Sequence, residues 1–505
     1  MNAASRLAAA LLAGCVAGTG ALAQTLNVVG PWEIAGIDPA QTGYVFSRMQ
    51  VAETLVTTEP SGQLAPGLAE SWSVDADGLT WRFALRGNAV FHDGTPVTAE
   101  IAARSLERAR DGVGVLEQVP IAEITHDGPE VVIRLNSSFA ALPAYLVHFS
   151  TIILAPSSYD DAGRVTQILG SGPYRIDRLT PPLKMELVES GQWWGGSPGI
   201  AEVSYTAAGR DETRAIMAES GEADLVFSVL PVSVDRLRRN PDLDIQIATI
   251  PRSRIVKLNA ASPFFDDIAE RQAISHAIDR LGISNVIPRN PDLAATQLFP
   301  PAMPGWHQAD LPPLEHDAGR AAELLAQAGW TPGSDGILQQ DGRRFSVTLL
   351  TYSNWPELPP IATALQAQLR EVGIEMNVAV GNSSEIPARH QDGTLEMALI
   401  SRLYSIVPDP IGALLTDYGP GGGDWGATGW DNDQMQAVIA DLAATADPEA
   451  RAPLQRRAVE ILQEELPGIP VTWSELAIVS GKRITNVQVD PLEVNYGLAA
   501  IRWAE

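Results

Sequence analysis

The sequence APGLAESWSVDADGLTWRFALRGNAVFHDGTPVTAEIAARSLERAR, residues 65–110, is the most informative part of this chain. Polar and apolar residues alternate over residues 71–74 and again over residues 79–85, as they do in strands with one buried face. Asp75-Ala76-Asp77-Gly78 joins the two runs and has the composition of a tight turn. The stretch therefore begins with a predicted β-hairpin.

A helix is predicted after this hairpin. Residues 91–96 have turn composition, and the hydroxyl of Thr98 can then cap a helix. Glu100 falls in the first helical turn, where the helix dipole favours a negative charge. The inward face of the helix is expected to contain Ile101, Ser105, Leu106 and Ala109. This order of elements carries no pattern of catalytic residues.

Strand and helix patterns alternate along the rest of the chain, which predicts an α/β protein. Residues 345–380 predict a strand, a helix and a second strand, and such a unit implies parallel pairing of its strands. Short separate strands are also predicted at residues 245–250, 254–259, 471–473, 476–479 and 487–489.

Composition limits the class of protein. A chain of 505 residues is too long for a single hydrophobic core, so two or three domains are expected. The hydrophobic content of 45% and the charged content of 19% are those of an ordinary globular protein. The formal net charge of -26 argues against a nucleic-acid partner, because a polyanion would be repelled.

The N-terminus has the pattern of an export signal. Arg6 precedes an apolar run over residues 7–22, and Ala-Leu-Ala before Gln24 fits a signal peptidase site, which predicts a signal peptide at residues 1–23. A rival cleavage would leave Cys15 acylated as a lipid anchor. Either cleavage predicts a periplasmic location. Because Cys15 is the only cysteine, we expect the mature chain to have no intramolecular disulfide and no cysteine-based metal site or nucleophile.

Several blocks in the same order resemble one protein family. The hairpin and helix of residues 65–110, the strand entry GSGPYR at residues 170–175, and the blocks at residues 266–280 and 349–373 are similar to segments of the family 5 extracellular solute-binding proteins of ABC transporters. That family includes receptors for dipeptides, oligopeptides and nickel chelates. The resemblance covers nearly the whole mature chain.

The resemblance implies an α/β, two-lobed periplasmic binding protein fold of type II, from the large cluster with an extra subdomain, and a hinge between the lobes. The implied layout places residues 24–52, 170–256 and 486–505 in lobe 1, residues 53–169 in a subdomain inserted into lobe 1, and residues 257–485 in lobe 2.

Enzyme motifs find little support in the sequence. Residues 195–199 fit G-x-S-x-G, but Pro198 interrupts the helix that a nucleophile elbow needs. Residues 421–426 fit G-x-G-x-x-G, but Asp424 would oppose a phosphate. No histidine pair has the spacing of metal ligands. We therefore expect a protein that is not an enzyme and has no cofactor, with an exported hydrolase or a chemoreceptor-associated binding protein as alternatives.

Aromatic and charged residues at predicted strand ends are the candidate ligand contacts, because ligands of α/β lobes bind at such ends. Tyr352 and Trp355 follow one strand, and Arg402 and Tyr404 end another, close to Asp409. Arg402 could hold a carboxylate, or it could pair with a local acid while Tyr404 packs in the core. Further candidates are Trp32, Tyr44, Trp425 and Trp430, together with His148, whose segment borders the cleft in relatives.

The class of solute is left between two alternatives. Several segments look most like the nickel branch of the family, yet residues 146–151 lack the arginine with which those relatives hold a chelator. A peptide or another small amine-bearing solute is therefore weighed equally with a metal chelate. The resemblance implies the substrate-binding component of an ABC importer, which delivers its solute to permease subunits in the inner membrane. The protein is expected to be a monomer.

Overall fold

The computed structural model describes residues 24–353, 355–420, 422–423 and 425–505, apart from the side chain of Gln41. The predicted signal peptide and Cys15 lie outside the described residues, as do Gly421 and Asp424 of the glycine-rich motif. No helix in the described ranges is long and apolar enough to cross a membrane.

The strands are β1 (Thr25–Gly30), β2 (Val56–Thr58), β3 (Leu64–Pro66), β4 (Ala69–Val74), β5 (Thr80–Leu85), β6 (Ile121–Asp127), β7 (Glu130–Leu135), β8 (Tyr174–Thr180), β9 (Lys184–Glu189), β10 (Glu202–Ala207), β11 (Leu225–Phe227), β12 (Leu243–Leu258), β13 (Thr331–Pro332), β14 (Leu338–Gln340), β15 (Arg343–Arg344), β16 (Ser346–Tyr352), β17 (Glu375–Gly381), β18 (Met397–Leu403), β19 (Gly468–Gly481), β20 (Ile484–Thr485) and β21 (Arg502–Trp503).

The α-helices are α1 (Pro39–Thr42), α2 (Tyr44–Arg48), α3 (Ala99–Asp111), α4 (Leu142–Tyr145), α5 (Asp211–Glu219), α6 (Pro231–Leu237), α7 (Ile268–Ala277), α8 (Arg280–Val286), α9 (Ala318–Gln327), α10 (Leu358–Glu371), α11 (Glu385–Gln391), α12 (Ile411–Tyr418), α13 (Asp433–Ala444) and α14 (Pro448–Glu465).

One large sheet runs through the molecule in the order β17-β16-β18-β12-β19-β11-β1-β10-β9-β8. Its two central strands, β12 and β19, are long and pair in antiparallel fashion along most of their length. The N-terminal half of β12 pairs with the C-terminal part of β19, whose other edge pairs with β11. The C-terminal half of β12 pairs with both β19 and β18. The pairing of β12 with β19 shifts between Ile250 and Ser253 and again between Arg254 and Ile255. The sheet therefore has two halves with an irregular junction.

The sequence predicted these central strands as fragments. The predicted strands at residues 245–250 and 254–259 are one continuous β12, and those at 471–473 and 476–479 are one continuous β19. The segment at residues 487–489 is not a strand, so that prediction was wrong. The β-α-β prediction is confirmed, since β16 and β17 pair in parallel and α10 lies between them in the chain.

The hairpin and helix of residues 65–110 form as predicted. Strands β4 and β5 pair in antiparallel fashion, and the Thr98 hydroxyl accepts a hydrogen bond from the Ile101 amide at the start of α3. Of the residues predicted to face inward, Ser105 and Leu106 are buried, whereas Ile101 and Ala109 are half-buried. Ala102 and Ala103 are also buried. This helix packs against the sheet β4-β5-β7-β6.

The subdomain predicted at residues 53–169 shares an apolar core with the β16-β18 half of the molecule. Phe83 and Tyr145 belong to the same buried cluster as Phe345 and Leu349. The amide of Ala140 also donates to the carbonyl oxygen of Ala443, at the end of α13, over 2.7 Å. A second core surrounds β1, β8, β9 and β10. The predicted domain boundaries remain predictions.

We predict that Gly172→Ala destabilises the protein by about 1–3 kcal/mol, the usual range for overpacking a rigid site. A methyl group at Gly172 would meet the backbone carbonyl of Gln50, which cannot move aside as a flexible side chain can. Urea unfolding measures the difference. The matched control is Gly87→Ala, where the added methyl group meets open space. Equal losses of stability in the two variants would contradict the prediction.

Candidate binding site

A cavity of about 690 Å³ lies at the irregular junction of β12 and β19. A cavity of this size is typical of small-molecule sites. Residues from both halves of the sheet line it. Its lining includes Trp32, Tyr44, Arg48, His148, Asp211, Arg214, Ile250, Arg252, Arg254, Trp355, Glu357, Ser405, Trp473, Glu475 and Glu493.

One wall combines an arginine with two aromatic rings. Trp32 follows the end of β1, and Tyr44 and Arg48 are the first and last residues of α2. The guanidinium carbon of Arg48 lies 4.3 Å from the ring centroid of Trp32 and 5.5 Å from that of Tyr44. These distances allow cation–π attraction, which orients the guanidinium while its edge stays available for hydrogen bonds.

A second part of the lining has the same chemistry. Arg252 and Arg254 are two residues apart on β12, so both side chains leave the strand on one face. Their guanidinium carbons lie 4.6 Å and 5.3 Å from the ring centroid of Trp355. Arg254 Nη2 also donates to Glu357 Oε1 over 2.6 Å, and its Nη1 donates to the Ser474 hydroxyl. Glu357 immediately precedes α10.

Glu493 lies between Arg48 and Arg252. Arg48 Nε donates to the carbonyl oxygen of Glu493 over 2.8 Å. The carboxylate oxygens of Glu493 are 3.9 Å from Arg48 Nη2 and 3.8 Å from Arg252 Nη2. Burial lowers the pKa of the Arg252 guanidinium; the positive charges of Arg254 and Arg48 lower it further, and Glu493 opposes the change. The carboxylate therefore offsets part of the repulsion among three arginines.

The charged groups of the lining balance, but several of their atoms are unused. The cations are Arg48, Arg214, Arg252 and Arg254, and the anions are Asp211, Glu357, Glu475 and Glu493. Five buried lining atoms have no hydrogen-bond partner within the described ranges: Arg48 Nη1, Arg214 Nε, Arg254 Nε, Glu357 Oε2 and Ser405 Oγ. Because buried polar groups are nearly always paired in folded proteins, these atoms are candidates for contact with a bound molecule.

His148 contributes a neutral imidazole to the cavity wall. Burial lowers its pKa from 6.5 to about 4. Its Nδ1 accepts a hydrogen bond from the Ser150 amide over 3.2 Å, so the proton of the neutral ring is assigned to Nε2. The ring also packs against Phe149, with 3.9 Å between centroids. His148 is therefore uncharged at neutral pH.

We predict that His148→Gln reduces the loss of stability between pH 6.5 and pH 4. In that window the unfolded chain binds a proton at residue 148 that the folded chain excludes, so stability falls as the pH falls. The variant lacks this titration. Urea unfolding at several pH values measures the slope, with His126→Gln, at an exposed position of β6, as the matched control. A slope equal to that of the wild type would contradict the prediction.

Four of the residues proposed from the sequence line the cavity, namely Trp32, Tyr44, His148 and Trp355. The other six are not among the lining residues. Arg402 makes two hydrogen bonds to the buried carboxylate of Asp417, at 2.5 Å and 2.6 Å. Tyr404 is 1% exposed and packs edge-on against Phe299. These contacts match the alternative in which Arg402 pairs with a local acid and Tyr404 packs in the core. A ligand role for either residue remains a prediction.

The remaining four candidates have partners elsewhere. Asp409 Oδ2 accepts from Arg451 over 2.7 Å, in a smaller cavity of about 270 Å³. The Tyr352 hydroxyl accepts from the Ser401 amide, and Trp425 packs edge-on against the Tyr352 ring. Trp430 is buried against Tyr418.

Sequence reasoning missed most of the charged groups of the cavity. Arg252 and Arg254 could have been noticed, because two cations two residues apart interrupt apolar strand sequence and must share a face. Arg48, Glu357 and Glu493 have no comparable local signal, because their partners are distant in the chain.

We predict that Arg402→Leu destabilises the protein by about 3–5 kcal/mol, because it leaves the carboxylate of Asp417, whose side chain is 3% exposed, without its partner. The matched control is Arg104→Leu, which removes an exposed pair with Glu100 and should cost less than about 1 kcal/mol. Chemical unfolding measures both values. A loss at position 402 no larger than that of the control would contradict the structural role.

Comparison with known proteins defines the class of this chain. The sequence profile of the bacterial extracellular solute-binding proteins, family 5, matches residues 63–425. The chain belongs to this family, which confirms the resemblance found in the sequence. The nickel-binding periplasmic protein of Escherichia coli K12 is 25% identical over 464 residues, which are 89% of this chain and 88% of that protein.

A second relative and a solved structure are also similar to this chain. The glutathione-binding protein GsiB of Escherichia coli K12 is 26% identical over 440 residues, which are 84% of this chain and 83% of that protein. The structure of DppA, an ABC transporter-associated periplasmic binding protein of Helicobacter pylori, in complex with the peptide STSA, matches with a TM-score of 0.78. It is 21% identical and covers 96% of this chain and 98% of that chain. The predicted two-lobed α/β fold is confirmed, and the comparisons support the solute-binding role and not the hydrolase or chemoreceptor alternative.

Proposed function

We propose that this chain captures a small dipolar solute, bearing at least one carboxylate, in the cavity at the β12–β19 junction and delivers it to an ABC permease. The observation that carries this proposal is the placement of Arg48, Arg252 and Arg254 beside aromatic rings in one cavity. Guanidinium groups recognise carboxylates through paired, charge-assisted hydrogen bonds, and ring faces hold them in position.

The unused atoms support a solute that carries both charges. Arg48 Nη1 and Arg254 Nε are donors without partners in the described chain, and a carboxylate would satisfy them. Glu357 Oε2 is an acceptor without a partner there, and an ammonium group would satisfy it. The rings of Trp32 and Trp355 provide apolar surface for the part of the solute between these ends.

The ligands named for the relatives fit this chemistry. Glutathione and the peptide STSA each carry an ammonium group and a carboxylate. A nickel chelate built on an amino acid would present a carboxylate to the same arginines. The peptide and the chelate therefore both remain within the proposed solute class.

Closure about the junction of the central strands would capture the solute. We place the hinge at the register shifts of β12, near the predicted boundary between lobe 1 (24–52, 170–256 and 486–505) and lobe 2 (257–485). Residues 53–169 form the proposed inserted subdomain. A solute that contacts both parts of the lining stabilises the closed form only by the difference between its affinities for the closed and open forms.

The proposed setting is the periplasm, after removal of residues 1–23 or lipid attachment at Cys15. The proposed partners are the permease subunits in the inner membrane, with a monomeric binding protein delivering the solute. The net charge of -26 supports the absence of a nucleic-acid partner.

Calorimetry with trialanine, glutathione and a nickel–histidine complex tests the proposal, with the C-terminal amide of each peptide as the comparison. We predict that amidation weakens binding by about tenfold or more, because it removes a charge-assisted hydrogen-bond acceptor. Arg252→Gln should weaken binding of the free acids and leave that of the amides nearly unchanged.

The matched control is Arg343→Gln, which removes an arginine near the Phe264 ring outside the cavity. Equal affinities of the wild type for acid and amide forms would contradict a carboxylate-binding site. A loss of affinity in the control as large as in Arg252→Gln would contradict the assignment to this cavity.

A further inference from the structure

Several hydrogen bonds and a ring contact hold the segment around Glu493 in place. Asp490 accepts hydrogen bonds from the amides of Leu492, Val494 and Asn495, over 2.8–3.1 Å. Tyr496 stacks on Phe227, with 3.7 Å between ring centroids. The backbone of Glu493 itself has a φ of 55°, a region that residues other than glycine seldom adopt. The surrounding structure therefore holds the Glu493 backbone beside the cavity.

The carboxylate of Glu493 is enclosed but loosely paired. Its side chain is 8% exposed, and its oxygens are 3.8 Å and 3.9 Å from the nearest nitrogens of Arg252 and Arg48. These distances exceed those of charge-assisted hydrogen bonds, which are about 2.7–2.9 Å. The pair Arg254–Glu357 in the same cavity reaches 2.6 Å. Glu493 therefore supplies negative charge to both arginines without using their hydrogen-bonding capacity fully.

We propose that Glu493 is a resident carboxylate that occupies the anion subsite between Arg48 and Arg252 when the cavity holds no solute, and that a solute carboxylate displaces its side chain. Two guanidinium groups enclosed together repel each other, and a carboxylate between them offsets that repulsion. A solute carboxylate that hydrogen-bonds to both arginines can replace Glu493, whereas an uncharged group cannot compensate for the charge that it displaces. Glu493 is then a specificity-determining residue of the site.

The displacement of Glu493 by a solute rests on the proposed function. Whether the Glu493 carboxylate occupies the subsite can be tested without a solute. Glu493→Gly removes the carboxylate, leaves space, and suits the positive φ at this position. We expect the variant to have a lower Tm than the wild type in sodium chloride. Replacing chloride by sodium formate at constant ionic strength should raise the Tm of the variant, because formate enters the vacated subsite.

Two further variants make the rescue specific. Glu493→Gln removes the charge but fills the space, so formate should not raise its Tm more than that of the wild type. Glu475→Gln removes another acid of the lining, whose carboxylate accepts from Asn290 rather than from the two arginines, and should also show no rescue. Equal effects of formate on all four proteins would overturn the proposal. If Glu493→Gly does not fold, Glu493→Asn, a shorter uncharged residue that tolerates a positive φ, serves for the same comparison.

Binding of trialanine tests displacement. Glu493→Gly should bind free trialanine on the order of tenfold more tightly than the wild type and should bind its amide no more tightly. Equal affinities of the two proteins for the free acid would overturn displacement. If formate rescues the variant but neither protein binds any carboxylate solute of the panel, the proposed solute class fails while the resident carboxylate stands.

Discussion

The antiparallel pairing of β12 with β19 is the constraint on which the rest of the structure depends. Within the described residues, β12 and β19 are the only strands that extend through both halves of the large sheet. Their hydrogen bonds make one sheet out of segments that lie far apart in the chain. Where their register shifts, near Ile250 and Ser253, the regular ladder is interrupted and the side chains of Arg252 and Arg254 face a cavity. The irregular pairing therefore marks the junction of the two halves, and the same residues supply arginine side chains to the cavity.

The electrostatics of the cavity follow from this placement. Arginines taken out of water need compensation, and the structure supplies it in two ways, through ring faces and through carboxylates. Glu357 compensates Arg254 by a short hydrogen bond, whereas Glu493 compensates Arg48 and Arg252 at longer range. The first pair is short, although Arg254 Nε and Glu357 Oε2 have no partner within the described residues. The second leaves hydrogen-bonding capacity unused, which is what a site for a carboxylate-bearing solute requires.

The sequence predicted the fold better than the site. The hairpin and helix of residues 65–110 and the β-α-β unit of residues 345–380 depend on local turns, caps and periodicity, and they form as predicted. The long strand β12 was predicted in two pieces, because polar residues at its irregular centre look like a break. Arg402 and Tyr404 lie at the end of a predicted strand, and the sequence therefore predicts that they contact a ligand. Which side chains at a strand end face the cavity depends on tertiary packing, which the sequence pattern does not show. Glu493 meets its arginines across distant parts of the chain, beyond the reach of any local pattern.

The shared core between residues 53–169 and the β16–β18 half has a thermal consequence. Tyr145 and Phe345 belong to one buried apolar cluster, and the amide of Ala140 is hydrogen-bonded to Ala443. A movement that separates these surfaces exposes apolar area to water, and such exposure raises the heat capacity. If the proposed closure separates and rejoins these surfaces, the equilibrium between the open and closed forms varies with temperature along a curve rather than a straight line, even at constant solute, salt and pH. An organism that warms or cools would shift this equilibrium without any chemical signal.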